Sequence, residues 1–268
     1  MTEHFMGIDI GAVTSKAVLI DSDDQKLASS VIPSGVDFKK AAESVSDNVL
    51  RERNLTLDQV KYIVSTGYGR RNVLFANDTK TEINCHGRGV YHYFPQSSLI
   101  VDIGGQDNKV ITIDATGKRL NFKMNRKCAA GTGTFLEEIA NRLGVPRENM
   151  DALARKASKN ISLNSYCTVF ASTEILARIR EGESVENMVK GAFHSIILRV
   201  IELGISSTAT ENIVMTGGVV QHNPFIVELL EEQLGVEIKV PPEPQVIGAL
   251  GAALLAHEIF LKKMNDKN

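Results

Sequence analysis

Two aspartates open the same tripeptide in this chain: Asp9-Ile10-Gly11 and Asp102-Ile103-Gly104, each at the end of an apolar run. A glycine at such a strand end lets the backbone approach an anion and point N–H groups at it. A carboxylate cannot bind a phosphate directly. It can hold a magnesium ion that does, because magnesium takes oxygen ligands and keeps several waters. Around the two loops stand Ser15 and Lys16, a hydroxyl and a charge, and Gly105 and Gln106. An amide has no useful basicity, so Gln106 suits the geometric task of orienting an attacking water. Asp107 is expected to orient its loop.

Two of the three cysteines also invite chemistry. Cys128 heads Lys127-Cys-Ala-Ala-Gly-Thr-Gly-Thr-Phe and Cys167 heads Cys-Thr-Val-Phe-Ala, each just ahead of a helical pattern. Free N–H groups and the positive dipole end of a helix stabilise a thiolate or an anionic metal–sulfur cluster. The plainer reading is two small buried hydrophobes. Cys85, in Ile83-Asn-Cys-His-Gly87, is taken as structural, and His86 as a packing or hydrogen-bonding residue.

The elements that must position these groups form a repeat. The stretch Asp9–Leu27 matches Asp102–Leu120 without a gap at an offset of 93 residues, with seven identities in 19 pairs, Lys16/Lys109 among them. Each copy reads as a strand ending at Asp-Ile-Gly, a return strand, a polar turn opening at Asp21 or Asp114, and a third strand. Helices are expected over 38–53, 86–94, 133–143, 172–181, 185–204, 224–234 and 245–262. Strands are expected over 61–65, 213–216 and 236–240. Met215-Thr-Gly-Gly-Val219 adds a glycine turn after an apolar strand, and Gly248-Ala-Leu-Gly-Ala-Ala253 a small-residue helix face for close packing. Strands and helices mix as in a duplicated α/β protein.

Composition narrows the class. The 268 residues suffice for two compact lobes. A net charge of -2 offers no electrostatic footprint for nucleic acid or an anionic membrane. No apolar run approaches the about 18 residues of a membrane span, and the N-terminus lacks the pattern of a signal peptide. Three cysteines argue against a disulfide framework. The expected location is cytoplasmic.

Taken in order, these motifs resemble the actin, sugar-kinase and heat-shock-chaperone superfamily. Asp9–Lys16 looks like its phosphate 1 loop, Asp102–Asp107 like phosphate 2, and Thr216-Gly217-Gly218 like the adenosine motif. His86–Phe94 and Gly248–Ala253 look like the connecting helices. The resemblance implies an α/β, duplicated ribonuclease-H-like (actin/hexokinase-type) two-lobe ATPase with nucleotide in the interlobe cleft. The lobes would be 1–96 plus 247–268 and 97–246. Asp9, Asp102 and Gln106 would be catalytic. Gly11, Ser15, Lys16, Gly104 and Gly105 would hold phosphates, and Gly217 and Gly218 would pack under the adenosine.

The cysteine segments resemble one family within that superfamily, the ATP-dependent activators of 2-hydroxyacyl-CoA dehydratases (archerases), related to benzoyl-CoA reductase ATPase subunits. That resemblance implies a homodimer with one 4Fe-4S cluster held by Cys128 and Cys167 of each subunit, which agrees with the four thiolates such a cluster takes. It adds Gly131, Thr132 and Gly133 to the cofactor-binding set, with ATP or ADP and magnesium as cofactors. The electron donor would be ferredoxin or flavodoxin, and the acceptor an iron–sulfur dehydratase or reductase component. Ser172 departs from the family, which commonly has an acidic residue there; Glu174 matches it. The rival readings are a sugar or acyl kinase with structural cysteines, a filament or chaperone-like ATPase, and a dimer stapled by structural zinc.

Overall fold

The computed structural model describes residues 3–125, 131–163, 168–205 and 212–266. Packing divides the chain into two units, Met1–Ser97 with Ile113–Leu120 and Val246–Asn268, and Ser98–Thr112 with Asn121–Gln245. Each is built around a five-stranded sheet.

In the first unit, β1 (His4–Ile10), β2 (Thr14–Asp21) and β3 (Lys26–Pro33) form the antiparallel meander, α1 (Phe38–Glu52) crosses over, and β4 (Val60–Thr66) and β5 (Asp78–Thr79) follow. The order across the sheet is β3-β2-β1-β4-β5, with β4 parallel to β1 and β5 parallel to β4. From Phe5 to Ile10 β1 is wholly buried, as a central strand covered on both faces should be. Helices α2 (Glu82–Tyr93) and α9 (Ile247–Asn265) complete this unit.

The second unit repeats the plan. Strands β6 (Ser98–Ile103), β7 (Asn108–Ile113) and β8 (Arg119–Asn125) are followed by α3 (Gly133–Leu143), α4 (Met150–Arg155), α5 (Thr168–Arg180) and α6 (Val185–Glu202). Then come β9 (Ile213–Thr216), α7 (Gly218–His222), α8 (Phe225–Leu234) and β10 (Ile238–Lys239). The order β10-β9-β6-β7-β8 is that of the first sheet read from the other edge. Even the hairpin turns match. Asp21 Oδ1 accepts from the N–H groups of Asp23 and Gln25, and Asp114 Oδ1 from those of Thr116 and Lys118, at 2.8–3.0 Å. Such Asx turns let a short side chain close a loop locally.

Capping sets several boundaries. Asp37 and Ser184 accept a hydrogen bond from the third residue of α1 and α6, and Gly144 closes α3 in the left-handed region. Helix α2 begins at Glu82, earlier than the expected 86, because Thr81 serves as its N-cap and accepts from the Asn84 N–H. Helix α5 likewise starts before 172, and β10 is shorter than the expected 236–240. The short helix α4 had no counterpart among the expected elements.

Helix α9 corrects one expectation. With the preceding turn it spans Pro244–Asn265, long and apolar enough by length and composition to cross a membrane. Yet 67% of its apolar window is buried inside the protein. Its small residues are the reason. A Cβ added to Gly251 would stand 1.8 Å from the Cys85 carbonyl oxygen of α2, and one added to Gly7 of β1 would stand 2.0 Å from the Ala249 carbonyl oxygen. The helix therefore lies backbone to backbone on its neighbours and serves as the core of the first unit.

Candidate active site

Each sheet presents the same loop. After β1, the Gly11 N–H donates to the Thr14 carbonyl at 3.1 Å; after β6, the Gly104 N–H donates to the Asp107 carbonyl at 2.9 Å. A Cβ on either glycine would lie under 3 Å from the carbonyl oxygen that closes its turn, at 2.8 and 2.9 Å. Only glycine makes this turn without moving the chain.

Register decides what faces each aspartate. Asp9 pairs with Lys16 across the antiparallel β1–β2 ladder, and Lys16 Nζ reaches Asp9 Oδ2 at 3.3 Å. In the second unit Lys109 Nζ reaches Asp102 Oδ2 at 3.0 Å and Asp107 Oδ1 at 2.7 Å. Lys109 is buried with Asp102, side chains 1% and 4% exposed, so each charge needs the other. Asp107 thus holds Lys109 while its carbonyl closes the loop. Thr216, last residue of β9, donates its hydroxyl to Asp102 Oδ1 at 3.1 Å. Both Asp102 oxygens therefore have protein donors, whereas Asp9 Oδ1 is buried and has no hydrogen-bond partner among the described residues.

The other anticipated residues fall around these two loops. Ser15 is fully buried and its hydroxyl pairs with Ser34 at 2.8 Å; the Ser34 hydroxyl in turn donates to the Gly11 carbonyl. Ser15 thus braces the first loop. Gln106 is exposed at the tip of the second. Gly217 has φ +104° and donates its N–H to the Pro244 carbonyl at 2.9 Å, and Gly218 packs against Gln245. His86 lies buried in the first unit: a Cβ on Gly248 would meet His86 Nε2 at 3.0 Å and Asp9 Oδ2 at 3.2 Å. Cys85 is fully buried on α2, and burial pushes its thiol up to about 12, which keeps it protonated and unreactive.

Gly131, Thr132 and Gly133 are joined to the second loop. The N–H groups of Gly133 and Thr134 donate to the carbonyls of Gly104 and Gly105 at 2.9 and 2.8 Å, and the Thr134 hydroxyl adds a bond to Gly105 at 2.7 Å. Asn108 Nδ2 donates to the Gly131 carbonyl at 2.6 Å. The first turn of α3, whose N–H groups lack partners within the helix, spends two of them on the loop. Cys128 and Cys167 lie outside the described residues.

The chemistry available here is that of phosphate and magnesium. Hard carboxylate oxygens at Asp9 and Asp102 suit magnesium, and the buried, unbonded Asp9 Oδ1 is an oxygen that lacks a counterpart. Glycine loops flank both acids. A family model, the BadF/BadG/BcrA/BcrD ATPase family, matches residues 6–256, which take in both loops and the Thr216-Gly217-Gly218 turn. The chain belongs to the BadF/BadG/BcrA/BcrD ATPase family.

Relatives named as dehydratase activators match over nearly their whole length. The activator of lactoyl-CoA dehydratase from Anaerotignum propionicum is 38% identical over 260 residues, 97% of this chain and 100% of that one. Among solved structures, the activator of the 2-hydroxyisocaproyl-CoA dehydratase from Clostridium difficile with bound ADPNP matches at a TM-score of 0.91 and 36% identity, covering 99% and 98% of the two chains. A ROK family glucokinase from Streptomyces griseus matches at a TM-score of 0.60, with 95% and 99% coverage and 12% identity, a likeness of fold alone. The fold is thus the duplicated actin/hexokinase type shared by members of this ATPase family and ROK kinases.

What sequence reasoning did not place in the site is Lys109. The repeat flagged it as the partner of Lys16, but its burial between two aspartates belongs to the fold. Thr216 entered as part of the adenosine motif, not as a partner of Asp102; its bond to Asp102 depends on the parallel pairing of β6 and β9.

Proposed function

We propose that this ATPase activates a 2-hydroxyacyl-CoA dehydratase by ATP-driven transfer of single electrons, working in the cytoplasm as a homodimer. Cys128 and Cys167 of each subunit would supply the four thiolates of one 4Fe-4S cluster. When bound, that cluster serves as a one-electron carrier, taking an electron from ferredoxin or flavodoxin and passing it to an iron–sulfur partner.

The observation that carries the reading is the junction at the second loop. Gly104 and Gly105 hold the start of α3 through three hydrogen bonds, and Cys128 precedes that helix by a few residues. A loop that answers to phosphate is therefore tied to a proposed ligand segment. Nucleotide shifts such a system only by binding its two arrangements with different free energy. Asp9 and Asp102 would hold the magnesium that accompanies ATP. Lys16 and Lys109 pair with those carboxylates and hold their orientation. Gln106, exposed at the tip, would orient the water, and the loop glycines would donate N–H groups to phosphate. The named relatives, activators of lactoyl-CoA and 2-hydroxyisocaproyl-CoA dehydratases, support the same partner class.

The test is oxygen-free purification of wild type beside Cys128→Ala and Cys167→Ala, with iron and sulfide analysis, absorption spectra and ATPase assays. A brown dimeric wild type and two colourless variants are expected. A colourless wild type without iron, or variants that keep the cluster, would sink the redox reading and leave a nucleotide hydrolase.

A further inference from the structure

The duplication extends beyond the segment that the ungapped repeat covers. In the second unit Asp102 pairs across parallel strands with Thr216, and Gly217 follows. In the first unit Asp9 pairs in the same way with Thr66, and Gly67 follows. Both glycines have positive φ, +87° at Gly67 and +104° at Gly217. A Cβ on Gly67 would strike Asp9 Oδ1 at 2.3 Å and the Ile10 carbonyl at 2.5 Å. One on Gly217 would strike Asp102 Oδ1 at 2.9 Å and the Ile103 carbonyl at 2.3 Å. Each aspartate is thus walled by a threonine–glycine corner of the same geometry.

One bond distinguishes the two corners. Thr216 donates to Asp102 Oδ1. Thr66 is fully buried, and among the described residues its hydroxyl has no oxygen or nitrogen partner, only the Cys85 sulfur, while Asp9 Oδ1 on the paired residue has no partner. The Cys85 sulfur that the Thr66 hydroxyl meets is a weak acceptor. A carboxylate is a strong one. A threonine side chain moves between staggered wells without backbone displacement. A buried carboxylate oxygen with no donor and, on the paired residue, a hydroxyl bonded only to sulfur are expensive to keep apart.

We propose that Thr66 is the positioning residue of Asp9, its hydroxyl taking up in the working protein the bond to Asp9 Oδ1 that Thr216 makes to Asp102. The inference rests on the reading of Asp9 as a magnesium-positioning carboxylate. It makes the corner Thr66–Gly67 the counterpart, for the first phosphate loop, of Thr216–Gly217.

The experiment titrates magnesium against full-length protein with ADP present, following heat, and repeats the titration with ADP alone. Wild type, Thr66→Val, Thr66→Ser and Asp9→Asn are compared, each also melted without nucleotide. Thr66→Val should weaken magnesium-dependent ADP binding about tenfold, the size of one hydrogen bond to a charged group. Metal-free ADP binding and the nucleotide-free melting temperature should nearly hold, because the hydroxyl loses only a weak contact to sulfur there. Thr66→Ser should restore the affinity. The proposal is overturned if Thr66→Val binds like wild type while Asp9→Asn does not, if Ser is as weak as Val, or if Val alone melts far below wild type without nucleotide. Should Asp9→Asn also bind like wild type, the reading of Asp9 falls together with the proposal.

Discussion

Replacing Lys109 by Met tests the electrostatic core of the second loop. The unbranched methionine keeps most of the stem and removes the charge. Lys109 Nζ stands 3.0 Å from Asp102 and 2.7 Å from Asp107, with side-chain exposures of 1%, 4% and 28% for Lys109, Asp102 and Asp107. At an effective dielectric of 20, a charge pair at that distance attracts by about 5 kcal/mol, most of which offsets the desolvation of the ions. Deleting one partner leaves the Asp102 carboxylate buried without the Lys109 ammonium, a loss of about 3–5 kcal/mol. Asp107 still reaches water and adds little. Urea unfolding of Lys109→Met should show a loss in that range. Lys16→Met should lose less, since Lys16 is 14% exposed, has a longer 3.3 Å contact and holds one aspartate. Adding Asp102→Asn to Lys109→Met should recover about 2 kcal/mol, because the amide carries no charge to strand. A Lys109→Met loss below about 1 kcal/mol, the range of surface pairs, would refute the reasoning, as would a double variant no more stable than the single.

Three further outcomes follow from particular contacts. Gly251→Ala puts a methyl 1.8 Å from the Cys85 carbonyl oxygen, where only backbone can yield; it should cost about 3 kcal/mol or more in denaturant unfolding, and a neutral result would mean that α2 and α9 are not held at this spacing. Gln106→Ala should slow ATP turnover about tenfold or more with nucleotide affinity kept, measured by phosphate release beside nucleotide titration; unchanged turnover removes Gln106 from the water-orienting role. The Glu183 carboxyl is held down from 4.5 to about 2, chiefly by the Asn187 side chain and then by Lys159. A folded value below the unfolded one adds stability above about pH 4.5 that is lost as pH falls toward about 2. Glu183→Gln should therefore flatten the acid limb of the stability curve, and an unaltered limb would count against the Glu183–Asn187 contact.

Local order alone determined much of this protein. The meanders and their turns were legible because each strand is a short apolar run punctuated by Gly, Asp or Ser, and because the two loops recur without a gap. Helix α3 was legible to the residue, lying between a glycine pair and the left-handed Gly144. Helix α4 escaped because six residues are too few for a periodic signal, and the start of α2 because its capping turn is polar. The small-residue face of α9 announced close packing, but not its partners. Register and crossover are properties of the closed sheet, so the tertiary structure decided the rest. It alone buried Lys109 between two carboxylates, and it alone brought Thr216 to Asp102 and Thr66 to Asp9. Those threonines stand at unlike distances along the chain from their aspartates, which hides the second pair from any linear comparison. Parallel pairing makes them equivalent, because hydrogen bonding between strands fixes neighbours in space regardless of how much chain lies between them.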